Sequence, residues 1–203
     1  MAQRADLGTQ VRGMMTETRK RGRLVGRAVA LLWVLETLDV LLLGGGLDRF
    51  GVQPRSTAGL VGILFAPLLH GGFAHLIANT LPFAVLGFLV TARKRADFWV
   101  VAIGSALTAG LGTWLVGASD SVHIGASGVV FGFLGFLMGR GIYERSAKSI
   151  LLSLTVTFFF GGMLWGVLPS VGPGISWEGH LFGFLGGLLV SRLLGRELRG
   201  RRR

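Results

Sequence analysis

Ser127 lies in the run His123-Ile124-Gly125-Ala126-Ser127-Gly128, and His180 opens a later apolar run. A serine and a histidine buried in an apolar chain suggest hydroxyl–imidazole chemistry, because an ionisable ring in lipid is costly and marks function by default. His75 and Asn79, spaced i and i+4, share one face of a helix. The chain has no cysteine, which excludes thiolate chemistry, disulfides and Cys-zinc sites, and no metal or cofactor motif is visible. The catalytic options narrow to Ser, His and carboxylates.

The elements that hold these residues follow from composition. The chain has 203 residues, of which 51% are hydrophobic and only 15% charged, and 34 are glycine. That is the composition of an all-α, polytopic membrane protein. Six spans are expected, over about 28–46, 73–92, 98–117, 125–139, 150–168 and 180–194. The net charge of +11 could signal nucleic acid, but the basic residues flank the spans instead. With the amino terminus inside, 19 of the 21 Lys and Arg fall on the cytosolic side, and only Arg49 and Arg55 fall outside. The expected organisation is a basic cytosolic segment at 1–27, a six-helix membrane domain at 28–195 and a basic cytosolic tail at 196–203. Anionic lipid, not nucleic acid, is the expected contact of the charge.

Helix rise places the candidate residues at one level. Counted from the first cytosolic arginine of each span at ~1.5 Å per residue, Ser127, His180 and Asn79 lie ~20, ~18 and ~21 Å in. That is about 10 Å below the outer surface of a ~30 Å hydrocarbon core, so four polar side chains converge in a cavity opening outward. The fourth and sixth runs are short, about 15 residues each. Helices that begin inside the membrane present free amides, and at Ser127 these would favour a developing oxyanion. Gly128, Gly132 and Gly135 on one run, with Gly183 and Gly187 on the other, allow the close helix approach that a Ser–His hydrogen bond requires.

These motifs resemble those of the rhomboid intramembrane serine proteases. Gly125-Ala126-Ser127-Gly128 is similar to their GxSG, His75-x-x-x-Asn79 to their second-helix motif, and His180-x-x-Gly183-x-x-x-Gly187 to their sixth-helix HxxGxxxG, in that order. The resemblance covers about Pro54 to Leu194. It implies a six-helix endopeptidase with Ser127 as nucleophile and His180 as general base. The Ser127 amide, His75 and Asn79 would form the oxyanion hole, with Gly125, Gly128, Phe131, Gly183 and Gly187 in support. Phe131 stands where the family commonly has a tyrosine stacked on the histidine, and activity is expected to survive. The family's Trp-Arg pair in the first outer loop is missing, with Pro54-Arg55 the nearest basic feature. His70 matches a further family histidine and is read as structural.

The substrate implied is a single-span membrane protein cut near the outer boundary after a small residue. The enzyme would sit in a prokaryotic plasma membrane with both termini cytosolic and the site facing outward. No cleavable signal or transit peptide is evident. The fifth span carries Phe158-Phe159-Phe160 before Gly161-Gly162, and the cap loop is expected at Pro169 to Trp177. The glycine pair is read as letting this helix move while the phenylalanines close the seam. Glu36 and Asp39 are read as structural bridges to Arg55 or to cavity groups. Asp120 and Glu178 are expected to face water, and His123 is read as a loop residue. The alternative function is a catalytically silent rhomboid-like protein that binds membrane clients, against which the joint retention of Ser127, His180, His75 and Asn79 argues. A small transporter is a third reading, without an inverted repeat to favour it.

Overall fold

Hydropathy marks where a chain crosses apolar ground, whereas helix propensity decides how far a helix continues, and the two disagree at several ends here. The computed structural model describes residues 2–170, 172 and 174–200. Helix α1 spans Ala2–Leu38, ~55 Å at 1.5 Å per residue, and so passes unbroken through residues 27 and 28. Its Arg, Lys, Met and Leu residues favour helix as well as the apolar stretch does. A π turn at Asp39–Leu43 follows, and Gly44 and Gly45, at φ +59 and +80, end it in conformations suited to glycine.

After a short α2 (Gly62–Phe65) come α3 (Phe73–Val90), α4 (Arg95–Val116), α5 (Ser127–Glu144), α6 (Ala147–Phe160) and α7 (Trp177–Gly200). Among the described residues, three segments are long and apolar enough to cross a membrane: Phe73–Val90, Arg95–Val116 and Ala147–Val167. Glycine and charge dilute the other long helices. The fourth and sixth runs prove longer than their apolar cores, at 18 and 24 residues, because helix continues into the charged flanks. The fifth run changes type instead: α6 ends at Phe160, and Gly161–Val167 winds on as a 3-10 helix. Among the described residues there is no strand, only an isolated antiparallel bridge between Val52 and His123.

Helix α5 is the hub. Phe133, Leu134, Phe136 and Leu137 are fully buried, and Phe133 meets Phe83 of α3 and Phe98 of α4 at centroid distances of 5.4 and 5.3 Å. Its contact with α7 runs backbone to backbone. A Cβ on Gly183 would strike the Gly128 carbonyl, one on Gly187 the Gly132 carbonyl, and one on Gly135 the Phe184 carbonyl. Helix α1 lies against α3, where Trp33 Nε1 donates to Thr80 Oγ1 at 3.1 Å. At the basic end, Arg93 pairs with Asp97, Arg140 with Glu144, and Arg95 with Glu17.

The opposite end is covered by the segment between α1 and α3. Val52 and His123 exchange two backbone hydrogen bonds of 2.9 Å. Arg55 donates to the carbonyls of Leu115 and Gly117 and to Ser119 Oγ, at 3.1, 2.7 and 2.6 Å. Those carbonyls end α4, where a cation is favoured. Arg55 is therefore spent on α4 and pairs with neither Glu36 nor Asp39, so of the two expected bridges for those acids the one to Arg55 does not form. Asp39 instead accepts from the Leu47 amide at 2.9 Å.

Candidate active site

Ser127 is the first residue of α5, and the preceding Ala126 offers no side-chain cap. The opening amides of the helix therefore meet the space in front of Ser127 unscreened. Gly125 makes the approach possible. It sits at φ +115, and a Cβ there would lie 2.7 Å from His75 Nε2 and 3.8 Å from Ser127 Oγ. The His75 ring and the Ser127 hydroxyl thus share the space that glycine leaves empty.

Ser127, His180, His75, Asn79 and Phe131 line one cavity of about 670 Å³, which is open on one side. His180 and Asn79 are 8% and 7% exposed. Among the described residues, no hydrogen bond joins Ser127 to His180; such bonds often tighten only with substrate bound. The structure brings all four candidates to one cavity, although they come from α3, α5 and α7.

Hydrogen bonds assign opposite tautomers to two of the three histidines that line this cavity, His180 and His75. His180 Nδ1 lies 2.9 Å from the Gly166 carbonyl, which only accepts, so Nδ1 carries the proton and Nε2 keeps its lone pair. His75 Nδ1 accepts from the Gly71 amide at 3.3 Å, so its proton sits on Nε2, the nitrogen facing Gly125. One ring is set to take a proton and the other to donate a hydrogen bond. Phe131 stacks on His180 at 4.1 Å and 10°, fixing the ring plane without a hydroxyl. Asn79 Nδ2 donates to the His75 carbonyl at 3.0 Å, with its second N–H left over.

Two further histidines, His70 and His123, hold the frame of the cavity. His70 is 1% exposed and its Nε2 accepts from the Ala126 amide at 3.4 Å. Burial, with His75 beside it, pushes the His70 ring down to about 4. His123, read from the sequence as a loop residue, bridges Ser121 Oγ and Ser176 Oγ at 2.7 Å each. Ser176 in turn caps α7, accepting from the Gly179 amide at 3.3 Å. His123 therefore ties the loop before Ser127 to the start of the helix that carries His180. Burial lowers its basicity, and Glu178 opposes that. No local spacing marked this role, because serines 121 and 176 meet only in three dimensions. Glu178 is 6% exposed where water was expected; it occupies the first turn of α7, and an acid is favoured there. Asp120 is exposed.

The fifth-span aromatics divide. Phe158 and Phe159 are 83% and 72% exposed and close no seam, whereas Phe160, Met163 and Leu164 pack toward the core. In the expected cap loop, Val171 and Pro173 lie outside the described residues, as do residues 201–203 of the tail. Among the described residues, no group of three or more His, Asp or Glu could hold a metal ion.

The chain is similar to known proteins over most of its length. The family model described as the Rhomboid domain matches residues 57–197. The Mycobacterium tuberculosis (strain H37Rv) protein Rv1337 is 45% identical over 193 residues, covering 88% of this chain and 80% of that protein. Mycobacterium leprae ML1171 is 40% identical over 193 residues, 88% of this chain and 76% of its own. RHOMBOID-like protein 5 of Arabidopsis thaliana is 30% identical over 160 residues, 73% of this chain and 49% of its own.

Proposed function

The chain belongs to the rhomboid family, and from that premise we propose that it is an intramembrane serine endopeptidase cutting transmembrane segments of membrane proteins by a Ser127–His180 dyad. The observation that carries this reading is the pair of opposed tautomers around Ser127. A protein that only binds clients has no need for one imidazole to be a free base and its neighbour a fixed donor in the same cavity.

The steps follow from those atoms. His180 Nε2 takes the Ser127 proton as Oγ attacks the scissile carbonyl carbon. The resulting oxyanion receives hydrogen bonds from the Ser127 amide, His75 Nε2–H and the second Asn79 N–H. Collapse breaks the C–N bond, and His180 returns its proton to the leaving amine. A water that reaches the cavity then attacks the acyl ester, giving its proton to His180; the bond between the acyl carbon and Ser127 Oγ breaks, His180 returns that proton to Oγ, and the carboxylic product leaves.

Six crossings are the arrangement we propose, with α1, α5 and α7 added to the three strongly apolar segments. Both termini would be cytosolic, as the basic flanks require, and the cavity would open to the outer face of a plasma membrane. A substrate helix must unwind to present an amide to Ser127, so helix-breaking residues near the cut favour it.

Purified protein in detergent, incubated with a single-span substrate, tests the reading against Ser127→Ala and His180→Ala. Cleavage by the wild type alone is expected. Failure of a folded wild type to cut any of several substrates, with retained binding, would establish client binding instead.

A further inference from the structure

We propose that Glu36 of α1 is a positioning residue of this site: its carboxylate holds the His70–Gly72 turn and, through that turn, the His75 tautomer that offers an N–H beside Ser127. This rests on the proteolytic reading above. Glu36 is 2% exposed, and no Arg or Lys pairs with it among the described residues. Its Oε1 accepts from the Gly72 amide at 2.7 Å. A carboxylate buried without a cation, in a helix that crosses apolar surroundings, is an expensive placement whose use must lie in what it holds.

What it holds is a turn in which each residue has one task. The His70 ring accepts from the Ala126 amide, next to Ser127. The Gly71 amide donates to His75 Nδ1. The Gly72 amide donates to Glu36, at a φ of +96 that only glycine adopts readily. Gly72 also precedes α3 and has no side chain of its own to cap the helix. Among the described residues no other side chain accepts from the Gly72 amide, so without the carboxylate the peptide between residues 71 and 72 is released and the Gly71 amide loses its aim at His75. The ring could then place its proton on either nitrogen, and half the oxyanion donors from α3 would be unreliable. Substrate contacts elsewhere in the cavity would be untouched.

The experiment compares Glu36→Ala and Glu36→Gln with the wild type by kinetics and by the ¹⁵N spectrum of the four histidines, His75 being assigned by its own substitution. In Glu36→Ala, kcat is expected to fall about tenfold or more with KM unchanged, and the His75 signals to shift from a fixed Nε2–H form to a tautomer mixture. Glu36→Gln keeps an acceptor oxygen and should stay within about threefold of wild type with the His75 spectrum preserved. In a His75→Ala background, Glu36→Ala should cost no more than about twofold further. An equal loss in both backgrounds, or an unchanged His75 spectrum, would overturn the assignment. A wild type that cuts nothing, yet whose His75 spectrum changes in Glu36→Ala, would uphold the positioning and overturn the proteolytic reading.

Discussion

Helices α7 and α6 both lie against α5, but they do so by different means. Along α7, glycine faces carbonyl at Gly183, Gly187 and Gly135, so the separation of the two backbones is set by atoms that have no rotamers. Along α6, the closest approach is at the basic end, where Ser153 Oγ donates to the Met138 carbonyl at 2.6 Å and Gly141 faces Ser153; further on, side chains make the contact, with Val156 buried and Phe160, Met163 and Leu164 against the core. The outward face of α6 is open, with Leu151, Leu154, Phe158 and Phe159 all more than 60% exposed. The candidate residues Ser127 and His180 are thus mounted on the rigid seam, and α6, held through side chains, is the looser of the two neighbours. The two are not independent, because Gly166, in the 3-10 extension of α6, accepts the proton that fixes the His180 tautomer.

The largest effect should come from adding bulk to the rigid seam. Gly183→Val drives a side chain into the Gly128 carbonyl and should cost about 3 kcal/mol or more, read as a lower thermal midpoint of the solubilised protein. The matching disturbance of α6, Phe158→Ala, should stay within about 0.5 kcal/mol; comparable losses would erase the contrast.

Next in size is a restraint on the loose side. The chain has no cysteine, so Ala78→Cys with Met163→Cys, joined by a short thiol cross-linker across the cavity, is a clean lock. Cleavage of a membrane substrate should fall at least about tenfold while Ser127 still reacts with a small water-soluble fluorophosphonate. Unchanged turnover would show that α6 need not move.

The frame around Ser127 should respond to acid. His70 is neutral in the fold down to about 4 but takes a proton from 6.5 downward once unfolded. Its contribution is therefore complete above pH 6.5 and is lost progressively as pH falls toward 4. The slope amounts to about 1 kcal/mol over the first unit, visible as a falling thermal midpoint that His70→Gln flattens. The smallest effect belongs to the ring plane: Phe131→Leu should lower kcat about threefold by losing the stack on His180, and Phe131→Tyr should leave it unchanged.

The helices were largely legible in the sequence because apolar runs and their charged flanks are local signals; the start of α3 at Phe73 is an example. The ends were not, since the arginine-rich stretch before Ala28 is polar yet strongly helical, and hydropathy cannot see that. The candidate residues Ser127, His180, His75 and Asn79 could be named from spacing and depth. Their hydrogen-bond partners could not. Gly166 and Gly71 are ordinary loop or helix-end residues whose roles arise from backbone groups placed by the fold. Glu36 stood out as an acid in an apolar run, but its partner is an amide, which no sequence pattern announces.

The strap formed by Arg55 has a meaning in time as well as in space. Its furthest partner, Ser119, lies 64 residues later, and Trp114, whose indole donates to the Ser56 carbonyl, is 58 residues on. At about 5–20 residues per second of synthesis, the first loop waits several seconds before anything exists for it to clasp. His180 arrives later still, as part of the last helix. Under the proposed dyad, a nascent chain would carry Ser127 into the membrane well before its base, and would gain the power to cut only when the final helix docks.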